Sequence, residues 1–255
     1  YSSYESRTGI SEALLNTMPK YGLSAKINNF LYVADCSHVD IDNATNYVFK
    51  SQPFNFDQFN WIRDFITLPN KPTAIAGFNG RLYIFSENET YIANPDGMHI
   101  EDTLPGVGCK DQNSLVVSEL GMSWIDKNSI YYSNGQGIQD IGSVIKYANQ
   151  PDDGYNKYIT MEYLTEYSSA YYNGNIFVAY DGFRKAFCYF FTTKEGSGPI
   201  YYRKSCLVYT IPKQRWDFWY RGNRDYSSKE MHGAVIGKEN EILISDSEDG
   251  LIQPF

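Results

Sequence analysis

One phrase recurs along the chain and limits the folds open to it: a turn rich in Asn and Gly, then an apolar–aromatic–apolar strand. It reads Asn28-Asn29-Phe30-Leu31-Tyr32-Val33, then Asn79-Gly80-Arg81-Leu82-Tyr83-Ile84. It returns as Gly121-Met122-Ser123-Trp124-Ile125, as Asn173-Gly174-Asn175-Ile176-Phe177-Val178, and last as His232-Gly233-Ala234-Val235-Ile236. The copies lie roughly 40–60 residues apart, close to the blade length of a β-propeller, whose blades are four-stranded antiparallel sheets. A β-sandwich has comparable strands but gives no reason for this period. The expected fold is therefore all-β, a propeller or partial propeller of four-stranded antiparallel blades. Neither a WD40 nor a kelch signature is present.

Composition agrees with strands. Aromatic residues make up 16% of the 255 residues and suit a pleated, half-buried surface. Asn79-Gly80, Asn134-Gly135 and Asp181-Gly182 are hairpin dipeptides, and Asn94-Pro95-Asp96-Gly97 is a turn in which Pro presets φ. Residues 1–27 read as a connecting segment, with a short helix from Ser11 to Met18 stopped by Pro19. Residues 28–255 read as the propeller domain. The chain opens on Tyr1 rather than Met, which suggests part of a longer polypeptide.

Charge narrows the partners. A net charge of −8 opposes tight wrapping of nucleic acid, which requires Lys and Arg to neutralise phosphates. No apolar run approaches the roughly 20 residues of a membrane-spanning helix. Cys36, Cys109, Cys188 and Cys206 form no close pair, so free buried thiols are expected rather than zinc.

Catalytic patterns are weak. His38, His99 and His232 stand far apart, and no G-x-S-x-G elbow occurs. Gly135 to Gly142 lacks the spacing of a dinucleotide loop, and Asp246 to Gly250 lacks that of an EF-hand. We expect no catalytic residue, no metal and no organic cofactor. Two aromatic segments remain. Pro53 to Trp61 carries Phe54, Phe56, Phe59 and Trp61 between polar residues and is the candidate assembly contact. Lys213 to Arg221 interleaves rings with cations, and Arg215, Trp219 and Arg221 form a candidate aromatic and basic surface. Period two sets Trp216, Phe218 and Tyr220 on the opposite face of that strand.

The order of features over residues 28–145 resembles the propeller of tail nozzle proteins of short-tailed phages, including the muzzle proteins of crAss-like phages. The resemblance rests on Phe30-Leu31-Tyr32-Val33, on Ile75-Ala76-Gly77-Phe78-Asn79-Gly80-Arg81-Leu82-Tyr83-Ile84-Phe85, and on Thr90-Tyr91-Ile92-Ala93. It continues through Gly108-Cys109, Ser114-Leu115-Val116-Val117, Gly121 to Ile125 and Ile130-Tyr131-Tyr132. Leu207 to Trp216 and Ile242 to Ile252 look like further blade elements. The resemblance implies a virion structural protein, made in the host cytoplasm and built into the tail. Its expected partners are copies of itself in a ring of six, other tail proteins, and genomic DNA passing without sequence-specific binding. Two alternatives stay open: a glycan-binding adhesion propeller, and a propeller-fold enzyme that cleaves glycans.

Overall fold

The computed structural model describes residues 20–37, 41, 44–147, 176–195, 201–220, 231–236, 242–246 and 252–254. Among these residues there are strands and short 3-10 turns and no α-helix. The chain divides into two compact units, Tyr1–Gln112 and Asn113–Phe255.

Among the described residues the first unit holds two antiparallel sheets. Sheet one runs β1 (Lys20–Ile27), β2 (Phe30–Ser37), β3 (Tyr47–Gln52) and β4 (Asn55–Phe59), and β5 (Phe65–Thr67) also pairs with β3. Sheet two runs β6 (Ala74–Phe78), β7 (Arg81–Phe85), β8 (Glu89–Asn94) and β9 (His99–Pro105). Chain neighbours pair in order, as short turns allow only between antiparallel strands. Asn79 and Gly80 both have positive φ, 49° and 73°, which is the backbone of a two-residue hairpin turn.

Alternation then builds the core. Leu82 and Ile84 of β7 meet Tyr32, Ala34 and Val48 of sheet one in a single buried cluster. Their neighbours Tyr83 and Phe85 are buried on the other face of sheet two. A side chain at Gly77 would meet Ile27 Cγ1 at 2.4 Å, so only glycine allows this approach of the two sheets. Asp35 sits at φ 52° and breaks the alternation of β2, which puts Cys36 on the same face as Val33.

Among the described residues the second unit holds three sheets. Sheet three runs β10 (Leu115–Ser118), β11 (Gly121–Ile125), β12 (Ile130–Ser133) and β13 (Ile138–Asp140). Sheet four runs β14 (Phe177–Asp181), β15 (Ala186–Glu195), β16 (Tyr201–Thr210) and β17 (Arg215–Tyr220). Sheet five has β18 (Met231–Ile236), β19 (Ile242–Asp246) and β20 (Ile252–Pro254). Sheet four is buried on both faces. Phe187, Tyr189 and Phe191 pack with Ile125, Ile130 and Ile141. Ala186, Cys188 and Phe190 pack with Phe177, Cys206 and Val208. A buried hydrogen bond of 2.6 Å joins Ser123 Oγ to Tyr189 Oη across sheets three and four.

The all-β expectation is met, and the four-stranded antiparallel sheets with it. Val33, Leu82, Ile84, Trp124, Ile176 and Val178 are buried as the strand pattern predicts. Leu31, Trp216 and Leu243 are only half-buried. Residues 20–27, expected in a connecting segment, instead form the first strand of sheet one through pairs such as Leu23↔Ala34 and Ile27↔Phe30. Leu23, Ala25 and Ile27 alternate there with exposed Gly22, Ser24 and Lys26, the period-two pattern of a half-buried strand. The expected helix from Ser11 to Met18 lies outside the described residues.

Candidate interaction surfaces

The aromatic segment Pro53 to Trp61 is a hairpin arm rather than a loop, and it splits its four rings into two pairs. β3 and β4 are joined by Pro53-Phe54, with Phe54 at φ 61°. The register runs Gln52↔Asn55 and then Ser51↔Phe59, so Phe56, Asp57 and Gln58 bulge out of the ladder. The bulge returns Phe59 to the sheet. Phe59 and Trp61 are buried with Phe49 against sheet one, and the Phe49 and Trp61 rings meet edge-on at 4.4 Å. They close the second face of sheet one and offer nothing to a partner. Phe54 and Phe56 remain outside, 75% and 37% exposed.

This tip is fixed in place. The Phe54 N–H donates to Asn29 O at 2.9 Å, tying it to the β1–β2 turn. Lys26 Nζ stands 5.4 Å from the centre of the Phe56 ring, within cation–π range. Behind the tip, Lys50 Nζ lies 4.2 Å from the Phe30 ring centre and donates to Asp96 O at 3.4 Å. Tyr32 Oη donates to Pro95 O at 2.9 Å. Both groups hold the Pro95-Asp96 turn of sheet two. Burial pushes the Tyr32 hydroxyl well above the usual tyrosine range, with the Asp96 charge adding to it.

The basic and aromatic surface is only partly described. Arg215 is exposed, and its Nε and Nη2 donate to Asp217 Oδ2 at 3.0 and 2.8 Å. Trp219 lies in β17 opposite Cys206, and its side chain is outside the described atoms, as is the whole of Arg221. Trp216 turns inward. Its Nε1 donates to Ile141 O at 2.9 Å, and its ring packs on Tyr189 and Tyr209 at 5.4 and 5.0 Å. That ring packs, half-buried, against the core cluster of sheets three and four.

A second exposed feature has no counterpart in the sequence reading. Glu119, in the β10–β11 turn, accepts hydrogen bonds on Oε1 from Tyr180 Oη at 2.7 Å and Lys185 Nζ at 2.8 Å. These two donors bracket the β14–β15 turn, so the two turns are clamped together. The Lys185 and Tyr180 bonds hold the Glu119 carboxyl down at about 2. The clamp presents Phe183, 73% exposed, and Leu120, 36% exposed. Asp181 shapes the turn by accepting the N–H groups of Phe183 and Arg184, each at 3.0 Å. The sequence signal available was Asp181-Gly182 alone, which marks a turn but not its partner.

The four cysteines are buried and form no disulfide. Burial, reinforced by Asp35, pushes the Cys36 thiol up to about 12. Such a thiol is a poor nucleophile at neutral pH.

No family model matches the chain, and no curated protein sequence does. Among solved structures it is similar to a domain described as the extracellular part of a one-component system of B. thetaiotaomicron. The TM-score is 0.53 at 9% identity, over 92% of this chain. The chain spans only 27% of the length of that neighbour. A luciferin-regenerating enzyme superposes with a TM-score of 0.43 at 13% identity, over 94% of this chain and 72% of the enzyme, and carries no argument. At such identities the first likeness shows the fold alone. The class is thus an all-β protein of propeller-like, four-stranded antiparallel sheets.

Proposed function

We propose that this chain is a virion structural protein, a subunit of the wall of the tail nozzle through which a short-tailed phage ejects its DNA. The observation that carries the reading is the fixed tip with Phe54 and Phe56 in water. Exposed rings on a braced arm suit protein contact, because burying them against a partner removes apolar surface from water without ordering a flexible loop. Two further features support it. Sheets filled on both faces make stiff wall material, as sheet four illustrates. A net charge of −8 suits a conduit along which phosphates slide rather than stick. In this reading the copies form a ring, six by the resemblance, joined to other tail proteins. Closure of the sheets into propellers belongs to the same proposal.

Negative-stain imaging of the assembled protein tests it. A closed ring of copies around a channel is expected. Monomers alone, or a particle without a channel, would overturn it.

A further inference from the structure

Two unlike exposed aromatic turns lie in one chain. The first is the bulged β3–β4 tip, with Phe54 and Phe56 flanked by Lys26 and exposed Asp57. The second is the clamped pair of turns, with Leu120 and Phe183 flanked by Glu119 and Lys185. We infer that the β3–β4 tip of one copy seats on the clamped β10–β11 and β14–β15 turns of a second copy. This deepens the nozzle reading by naming its contact, and rests on that reading.

Three arguments select a second copy. A two-ring tip pressed on an identical tip offers too little area, since a stable interface needs about 800 Å² from each partner. A tip on a different, wider surface gathers more. Next, unlike surfaces on the same chain match head to tail, and head-to-tail contacts close into a ring, as the nozzle reading requires, where the rotation between copies permits, and otherwise extend as open filaments. Finally, the charges are complementary. Lys26 and Asp57 beside the tip and the Lys185–Glu119 pair beside the seat put both signs at each rim, so an ion pair can be exchanged across the contact, and rim charges of this kind fix register more than affinity. Glu119 keeps its negative charge across the physiological range because Lys185 and Tyr180 bond to it. The clamp also joins residues 66 apart into one rigid seat.

Light scattering on the wild-type chain and on Phe54→Ser and Phe183→Ser tests the contact. Each substitution should weaken self-association about tenfold or more, as loss of a central aromatic anchor does. Phe54→Leu and Phe183→Leu keep apolar bulk and should still associate, and circular dichroism checks that all four variants are folded. The deciding sample is a mixture of the two Ser variants. Each mixed pair retains one intact contact, between Phe54 of one chain and Phe183 of the other, so the mixture should form dimers and stop there. A mixture that stays monomeric overturns the inference, as does a Ser variant that associates like the wild type or a wild type that stays monomeric. Rings that persist in both Ser variants sink this contact but leave the nozzle reading standing. Mixed dimers from a wild type that never closes a ring do the reverse.

Discussion

Gln112 acts as a short stretch of strand. Its Oε1 accepts the Ile75 N–H at 2.9 Å and its Nε2 donates to Ile75 O at 3.1 Å, so one carboxamide satisfies both backbone groups of a buried residue on β6. Gln112→Ala strips both bonds and should cost about 1–3 kcal/mol, read from the urea midpoint. Gln112→Glu keeps the acceptor but sets a carboxylate oxygen against the Ile75 carbonyl, and should cost at least as much at neutral pH. Glu119 makes a different kind of prediction. Its carboxyl lies at about 2 in the folded chain, below its ordinary 4.5. A depressed carboxyl binds fewer protons folded than unfolded, so its contribution is complete above the ordinary range. It fades as pH falls from there through about 2. The Tm difference between wild type and Glu119→Gln should therefore be present at neutral pH and shrink on acidification. Added salt should shrink it too, since the pair is exposed. A difference independent of pH would remove the clamp from the account.

Elements follow the recurring phrase, but its phase slips. In the first three sheets it marks the second strand, β2, β7 and β11; in sheets four and five it marks the first, β14 and β18. The slip has a physical origin. The phrase reports a turn followed by a buried strand, and both first and second strands of such sheets fit that description. Within sheets two and three the correspondence is close: Leu82 and Ile84 match Met122 and Trp124, all four buried. Leu82→Ala should cost about 2–5 kcal/mol by urea denaturation, because Leu82 fills the space between sheets one and two. Gly121 holds φ at 151°, and a Cβ there would stand 2.5 Å from the Tyr132 ring. Gly121→Ala should lower Tm through both strain and clash, with a loss of about 1–3 kcal/mol. An unchanged Tm would contradict the packing of β11 against β12.

For the whole molecule, the net charge makes the clearest functional prediction. On the proposed reading, this chain of charge −8 should not retard duplex DNA in a gel at physiological salt, and retention that weakens steeply with salt would argue against a sliding wall. The sequence by itself determined the strand content, the turns and the blade-length period. These are local properties: φ preferences at Asn-Gly pairs, and side chains that alternate between faces. It also marked Pro53 to Trp61 as special without saying how. Only the tertiary structure decided that Phe59 and Trp61 go inward while Phe54 and Phe56 stay in water. A three-residue bulge and one positive φ set that division, and neither leaves a signal in spacing. Likewise Asp181-Gly182 foretold a turn, but the seat around Phe183 exists because Glu119 reaches Tyr180 and Lys185 from a different sheet. Contacts between residues so far apart in the chain depend on how sheets stack, and stacking is settled by the packed core rather than by any short run of residues.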